Sequence, residues 1–509
     1  MTLDANRSDL TLGIVGAGTM GRGVAQIAAT AGVAVVLTDA SARAAEDARA
    51  FIDKMLTRAA GKGRMSEDAA RDALASITLA QGIESLARCH VVVEAIVEKL
   101  EAKQGLLREL EQWVARDCIL ATNTSSLSVT AIASACSHAE RVAGYHFFNP
   151  VPLMKLVEVV DTPLTAEWVS EALFALAVRM GHQPVRASDT PGFIVNHAGR
   201  GYGTEALRVV GEGIAAFADV DRVMREAAGF PMGPFELLDL TGLDVSQPVM
   251  ESIYHQYYEE PRFRPSVIAR QRLLAGLHGR KAGAGFYAYR DGQPLVPPED
   301  PVPALPDDVN VWVSGAVPEG REVLARALRA VGARLEESQR PSQGVLCVVT
   351  PLGTDATTAA LEEGLDPGRT VAVDLLLGFD KRRTLMTTPL TEPRYRDAAR
   401  ALLGADGTPV TAIRDSAGFI AQRILATIVN IACDMAQQRI ATPEDIDRSV
   451  TLGLRYPHGP LELGDRLGAE RVLRILEAMR DLYGDPRYRP SPWLTRRARL
   501  GVSLLHGGQ

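Results

Sequence analysis

The order of strand-like and helix-like runs sets the first expectation. Between residues 11 and 160 short apolar, β-rich runs recur: LGIV, VAVVLTD, HVVVEAI, CILATN, VAGYHFF and LVEVV. Helical stretches separate most of them. Strands alternating with helices predict a doubly wound α/β domain. From about 186 to 282 the pattern turns mainly helical. It opens on DTPGF, where Asp189 or Thr190 can cap a helix and Pro191 suits its first turn. Residues 291–308, DGQPLVPPEDPVPALPDD, hold six prolines and no regular period, which predicts a linker. Strand-like VNVWVSG, GVLCVVT and TVAVDLLLG follow, separated by helical segments. From about 411 the chain is helical again.

That order suggests a duplication. Residues 189–242 align with 415–468 at a constant offset of 226, with 17 identities in 54 positions. Average composition would give about 3–4 by chance. The glycines and prolines match in register: Gly192 with Gly418, and Pro231, Gly233 and Pro234 with Pro457, Gly459 and Pro460. Farther on, EPRFRPS (260–266) resembles DPRYRPS (485–491). The helical domain is expected twice.

The 509 residues suggest three to five domains. The 55 basic and 62 acidic residues leave a net charge of −7, a poor match to general nucleic-acid binding. Five cysteines are scattered without a C-x-x-C pair, so neither a disulfide framework nor a metal site is expected. The start, MTLDANRSDL, does not read as a signal peptide, and no apolar run of about 18 residues predicts a membrane span. A cytoplasmic protein with no membrane partner is the expectation. Only seven of the basic residues are lysines (54, 62, 99, 103, 155, 281 and 381), which makes each lysine position more informative.

Chemistry enters at Gly16-Ala17-Gly18-Thr19-Met20-Gly21. This G-x-G-x-x-G follows a strand and opens a small-residue helix. The glycines permit a tight turn and close approach of pyrophosphate, and the helix N-terminus supplies N–H groups. The next strand ends in Asp39, 18 residues past Gly21. Asp39 would bind ribose hydroxyls and repel a 2′-phosphate, which argues for NAD over NADP. Arg43 reads as a solvated helix residue. None of the eleven tyrosines has a lysine four residues later, which excludes the Tyr-x-x-x-Lys class of nicotinamide enzyme.

Hydride transfer from an alcohol needs a base, and imidazole suits neutral pH. Of nine histidines only His146, in GYHFFNP, ends a predicted α/β strand with an acid nearby. A turn at Asn149-Pro150 could return Glu158 against it, orienting the ring as a carboxylate does in hydrolase triads. A structural histidine beside a strand-edge glutamate is the bland alternative.

These segments together resemble the L-3-hydroxyacyl-CoA dehydrogenase family: GAGTMG (16–21), VVVEAIVEKLEAK (91–103), NTSSL (123–127), HFFNPVPLMKLVEVV (146–160), DTPGFIVN (189–196), GFPMGPFELLDLTGLD (229–244) and GRKAGAGFY (279–287). The resemblance spans residues 11–290 in family order. It implies that His146 takes the 3-hydroxyl proton, Glu158 orients it, and Ser125 and Asn196 hold the substrate oxygen. Ser125 would also lie near the nicotinamide. Gly16, Gly18, Thr19, Met20, Gly21 and Asp39 would hold NAD. Glu98 and Lys103 would lie near the nicotinamide ribose, Asn149 at the nicotinamide end, and Lys281 would approach from the helical domain. Without the resemblance, Glu98 and Lys103 read as an ordinary exposed helix pair. Residues 42–60 and 66–75 read as a helical hairpin, which in this family meets CoA. Lys62, Arg64 and, more weakly, Lys54 are its candidate phosphate contacts.

The second half lacks this chemistry. VNVWVSGAVPEG has no G-x-G-x-x-G, RTVAVDLLLG has no histidine, and Asn196 becomes Gln422. One active site per chain is expected. The expected division is an NAD-binding Rossmann-like domain with the hairpin insertion (1–185), an all-α domain (186–290) and a Pro-rich linker (291–308). A degenerate Rossmann-like domain (309–410) and a second all-α domain (411–509) follow. The two helical copies are expected to pack as a pseudo-twofold pair, giving a monomer with an internal pseudo-dimer, or else a homodimer. The implied reaction is NAD-dependent oxidation of an L-3-hydroxyacyl-CoA, an acyl-CoA substrate of butyryl or adipyl type, in fatty-acid or phenylacetate-type catabolism. A sugar-acid dehydrogenase acting on L-gulonate, or a catalytically silent NAD-binding protein, stays open.

Overall fold

The structure, a computed structural model, describes residues 3–305 and 309–507. Its first sheet has eight strands: β1 (Thr11–Val15), β2 (Ala34–Thr38), β3 (Ile77–Ala80), β4 (Val91–Glu94), β5 (Ile119–Thr122), β6 (Val142–Phe147), β7 (Leu156–Asp161) and β8 (Gln183–Ser188). They lie in the order β3-β2-β1-β4-β5-β6-β7-β8. Every neighbouring pair is parallel except β6–β7. Helices α1 (Thr19–Thr30), α2 (Ala42–Gly61), α3 (Glu67–Ala75), α4 (Leu100–Leu110), α5 (Val129–Ala133) and α6 (Glu167–Arg179) connect them. β4, β5 and β6 are buried along their whole length, as expected for strands covered on both faces. This is the expected doubly wound α/β domain, with α2 and α3 forming the inserted hairpin.

DTPGF is not the capped helix start that the sequence suggests. Gly192 and Phe193 take φ of 82° and 48°, left-handed values that a helix cannot contain. Helix α7 (Val195–Ala198) therefore begins later. Asp189 instead caps α5, accepting from Ser128 Oγ at 2.8 Å, Val129 N at 3.0 Å and Thr130 N at 2.6 Å.

The helical part continues with α8 (Arg200–Gly211), α9 (Phe217–Arg222), α10 (Pro234–Thr241), α11 (Leu243–Gln256) and α12 (Val267–Leu274). A short hairpin, β9 (Ala288–Arg290) and β10 (Gln293–Leu295), runs into the proline-rich stretch. That stretch is held as a strap. Arg222 donates to Pro297 O, Arg382 pairs with Glu299 at 2.7 Å, and Arg400 donates to Asp300 O and Pro301 O. Residues 306–308 of the expected linker lie outside the described residues.

The second sheet holds β11 (Asn310–Val313), β12 (Arg334–Glu336), β13 (Leu346–Val349), β14 (Thr370–Val373), β15 (Arg383–Thr387) and β16 (Val410–Ile413), in the order β12-β11-β13-β14-β15-β16. β15 runs antiparallel to β14, as β7 does to β6. Helices α13 (Pro318–Ala330), α14 (Ala356–Glu362) and α15 (Pro393–Gly404) accompany it. The repeat then follows: α16 (Ile420–Gln437), α17 (Pro443–Leu454), α18 (Pro460–Leu467), α19 (Ala469–Tyr483) and α20 (Pro492–Leu500). These five match α8 to α12 in order. Among the described residues no helix is long and apolar enough to cross a membrane.

By its contacts the chain forms two compact units, residues 1–197 with 438–454, and residues 198–437 with 455–509. In the first, Ser188 N at the end of β8 donates to Ile440 O at 2.9 Å. In the second, Arg414 N just past the end of β16 donates to Ile214 O at 3.0 Å. Subtracting 226 from 414 and 440 gives 188 and 214, so these are one bond made twice with the copies exchanged. The same reciprocity appears inside the second unit. Arg262 Nη2 donates to Arg489 O at 2.7 Å, and Arg487 Nη2 to Arg264 O at 3.2 Å. The two helical copies pack as a pseudo-twofold pair, each using the same patch, as in an isologous dimer.

A charged cluster sits at this contact. Arg423 and Glu205 are both fully buried and 2.7 Å apart. Arg423 also donates to Ser416 Oγ and Glu212, and Tyr488 donates to Glu205. A buried pair adds little net stability, but removing one partner strands the other. Arg423→Met should therefore cost about 3–5 kcal/mol. A clear fall in the thermal midpoint is expected, recovered in part by adding Glu205→Leu. An unchanged midpoint in the single variant would show that the pair carries no such cost.

Candidate active site

The phosphate-binding turn is built where strand β1 meets α1. Gly16 takes φ of 103°, and a Cβ there would lie 2.5 Å from Ala95 O. A Cβ on Gly21 would lie 1.8 Å from Gly16 O. Gly18 has open space on its Cβ side, so its backbone is accessible to a ligand. Thr19 and Met20 open α1, whose first turn carries no acidic residue. Its N–H groups and positive dipole end are thus left for an anion. Asp39 accepts from Ala17 N at 2.7 Å and Ser41 N at 2.9 Å, which ties the turn to the end of β2. Each oxygen keeps a lone pair for a hydroxyl donor.

A cleft of about 930 Å³ continues from this turn, lined by Gly18, Asp39, Ala40, Gly82, Ile83 and Ile96 among others. Apolar walls with one carboxylate suit an adenine and its ribose, and the residues present fit NAD. Arg43 is largely exposed and faces Asp47 at 3.9 Å, the solvated position expected for it.

His146 and Glu158 face each other across β6 and β7. The antiparallel register pairs Tyr145 with Val159 and His146 with Glu158. Directly opposite side chains on one face reach each other. His146 Nδ1 lies 2.6 Å from Glu158 Oε2. Glu158 is completely buried, and its other oxygen accepts from Ile194 N at 3.1 Å and Val195 N at 2.8 Å. With Nδ1 directed at the carboxylate, the other ring nitrogen, Nε2, is left for a ligand. The His146 ring packs against Phe148 and Phe193, with centroids 4.5 and 5.6 Å away.

Asn196 follows Val195, and its Nδ2 donates to Ser125 O at 3.4 Å. One network therefore joins His146, Glu158, the turn at 192–195, Asn196 and Ser125. Asn123 Oδ1 accepts from Phe147 N at 2.9 Å, tying the Ser125 turn to the end of β6. Asn149 is exposed on the turn after β6, with the Asn149–Pro150 bond cis. Lys281 belongs to the second unit, where it pairs with Asp244 at 2.6 Å. Lys54, Lys62 and Arg64 are exposed on the α2–α3 hairpin, and among the described residues no ion pair involves them.

Glu98 and Lys103 are not an exposed helix pair. Lys103 is 1% exposed, held by Glu94 at 2.6 Å and Glu98 at 3.3 Å. Glu98 turns toward Ser125 and accepts its backbone N–H at 2.9 Å. Burial opposes its charge, but the Thr124 hydroxyl and Lys103 prevail and hold its carboxyl below the ordinary range. Sequence reasoning missed Glu94. The signal was present: Lys103 shares α4's buried stripe with Leu107 and Leu110, at helical spacing. A lysine in such a stripe needs a buried partner.

The second α/β unit keeps the positions without the groups. Asp374 N donates to Thr384 O, so these two face each other as His146 and Glu158 do. Gln422, which replaces Asn196, accepts from Gly353 N at 2.8 Å and donates to Asp374 at 2.9 Å. Burial raises the Asp374 carboxyl. No imidazole stands there, and the polar groups satisfy one another.

Comparison with known proteins agrees with this geometry. The family model for the 3-hydroxyacyl-CoA dehydrogenase NAD binding domain matches residues 11–190, and that for the C-terminal domain matches 192–289 and again 418–504. The 3-hydroxyadipyl-CoA dehydrogenase of Escherichia coli K12 is 36% identical over 492 residues, 96% of this chain and 98% of that protein. The mitochondrial hydroxyacyl-coenzyme A dehydrogenase of Sus scrofa is 40% identical over 283 residues, 54% of this chain and 90% of its own length. The crystal structure of 3-hydroxybutyryl-CoA dehydrogenase from Escherichia coli K12 superposes with a TM-score of 0.84 at 35% identity, covering 97% of this chain and 99% of that one. With both domain models matched and a relative aligned over almost the whole length, the chain belongs to the 3-hydroxyacyl-CoA dehydrogenase family.

Proposed function

We propose that this NAD-dependent dehydrogenase converts an L-3-hydroxyacyl-CoA to the 3-oxoacyl-CoA with His146 and Glu158 as its base pair. The observation that carries the reading is the 2.6 Å bond between His146 Nδ1 and a Glu158 carboxylate already held by two backbone donors. His146 Nε2 takes the 3-hydroxyl proton. Glu158 stabilises the imidazolium that results and keeps the ring in place. Ser125 and Asn196 donate to the substrate oxygen. When bound, NAD⁺ supplies the acceptor for the hydride that leaves C3. Asp39 selects it by its ribose hydroxyls, with Gly16, Gly18 and Gly21 admitting the pyrophosphate. Lys54, Lys62 and Arg64, exposed and without an ion pair among the described residues, would meet the phosphates of CoA.

The full-length matches carry names for an adipyl and a butyryl thioester. They support a short acyl chain, including a carboxylated one, in fatty-acid or phenylacetate-type catabolism. The helical interface satisfied within one chain supports a monomer.

Loss of NADH absorbance with acetoacetyl-CoA, beside free acetoacetate, tests the reaction. Rapid oxidation with the thioester alone is expected. Equal rates with the free acid, or none with acetoacetyl-, adipyl- and longer 3-oxoacyl thioesters, would overturn it. His146→Gln and Glu158→Gln should each lose about 10²–10⁴ in turnover with the fold kept. Unchanged turnover removes the residue concerned from the mechanism. Asp39→Ala should raise the KM for NAD about tenfold or more while that for NADP falls or holds, since one well-oriented charged hydrogen bond is worth at least that. Parallel changes for both cofactors would argue against the ribose role.

A further inference from the structure

The turn that carries Ser125 takes its place from buried charges on β4 and α4. Glu94, the last residue of β4, is completely buried. Its Oε1 accepts from Lys103 Nζ at 2.6 Å and from Ile96 N at 2.7 Å, and its Oε2 from Thr122 Oγ1 at 2.6 Å. Glu94 is thereby fixed to β4, to β5 and to the start of the following loop. Lys103 reaches on to Glu98 Oε2 at 3.3 Å. The other oxygen of Glu98 is the acceptor for the turn. It takes Thr124 Oγ1 at 2.6 Å, Ser125 N at 2.9 Å, Ser126 N at 3.2 Å, Ser126 Oγ at 3.1 Å and, more distantly, Ser125 Oγ at 3.5 Å.

Each link has a different freedom. Glu94 is locked by three donors. The Glu98 side chain is 37% exposed and lies on a loop, so alone it would sample several positions. Lys103, shielded from solvent, connects the fixed carboxylate to the mobile one. Its ammonium faces both carboxylates, so its pull on the turn passes through Glu98.

We propose that Glu94 and Lys103 are positioning residues for Ser125: Glu94 anchors Lys103, Lys103 anchors Glu98, and Glu98 fixes the turn so that the Ser125 hydroxyl is aimed at the substrate oxygen. This rests on the role given to Ser125 above. It assigns to Glu94 a part in turnover although, completely buried, it can touch neither substrate nor cofactor.

A double-mutant cycle between Glu94→Gln and Ser125→Ala tests it, using the full chain. Glutamine keeps the size of Glu94: its one oxygen can accept from Ile96 N and its NH2 can donate to the Thr122 hydroxyl, while the charge that holds Lys103 is removed. Glu94→Gln alone should lower kcat about 10–100-fold, the usual cost of loosening a supporting shell. The Kd for NADH, read by fluorescence titration, should stay within about twofold, the scatter of independent sites. In the Ser125→Ala background the same change should lower kcat by no more than about twofold further. Glu94→Asp, which draws the carboxylate away from Lys103, replaces Glu94→Gln in the same cycle if that variant does not fold. The proposal is overturned by an unchanged kcat in the single variant, by a loss that sits in the NADH Kd, or by the same full factor in both backgrounds. Unchanged turnover in Ser125→Ala alone would instead remove Ser125 from the mechanism, a failure of the underlying site reading that the cycle tells apart.

Discussion

A carboxylate with no access to water organises the catalytic half. Stripping the solvent from an ion costs several kcal/mol unless protein donors replace the lost water. Glu158 meets that demand with one imidazole and two backbone N–H groups. The chain bends to deliver them. Gly192 and Phe193 adopt left-handed backbone so that Ile194 N and Val195 N converge on one oxygen. The sheet bends too. A parallel step needs a crossover of a dozen or more residues, whereas an antiparallel step needs only a loop. Only the antiparallel β6–β7 step places residues 146 and 158 directly opposite. The one antiparallel neighbour pair of the first sheet is therefore where His146 and Glu158 are found.

Duplication shows what the fold keeps once chemistry is released. In the second α/β unit the antiparallel β14–β15 step survives, but Asp374 and Thr384 occupy the facing positions. Gln422 closes the space by bonding Gly353 and Asp374. The cap on the preceding helix survives as well, with Asp415 accepting from Ala356 N as Asp189 does from Val129 N. What persists is structural: helix caps, glycine turns and the exchanged strand–loop bonds at Ile440 and Ile214. The helical interface imposes those constraints on both copies alike, while only the first copy carries the His146–Glu158 pair.

Much of this was legible in the chain. The glycine turn, the strand ending in Asp39 and the His146–Glu158 pairing follow from local rules, because period-two strands and tight turns fix near neighbours. The duplication was legible because glycine and proline positions are set by backbone geometry. The failures concern partners on other elements. DTPGF looked like a capped helix because its residues have that preference, yet Asp189 serves α5 instead. The proline-rich stretch looked unstructured, and arginines 75 to 100 residues away hold it down. Lys103 looked exposed because its partner Glu94 closes the adjacent strand rather than lying on the same helix.

The use of charge at Lys103 has a physical reason. A turn that must meet substrate cannot be fixed by burying it under apolar side chains, since that would cover Ser125. Charge-assisted hydrogen bonds are directional and about twice as strong as neutral ones, so they hold a half-exposed turn from one side only. Their anchor has to be dry, because an ammonium in water would be screened and mobile. Lys103 and Glu94 supply that anchor beneath the turn, and Glu98 carries it to the surface. A buried ion pair is a weak source of stability. Here its value lies in geometry: it leaves the face of Ser125 open while taking away the freedom of the backbone that bears it.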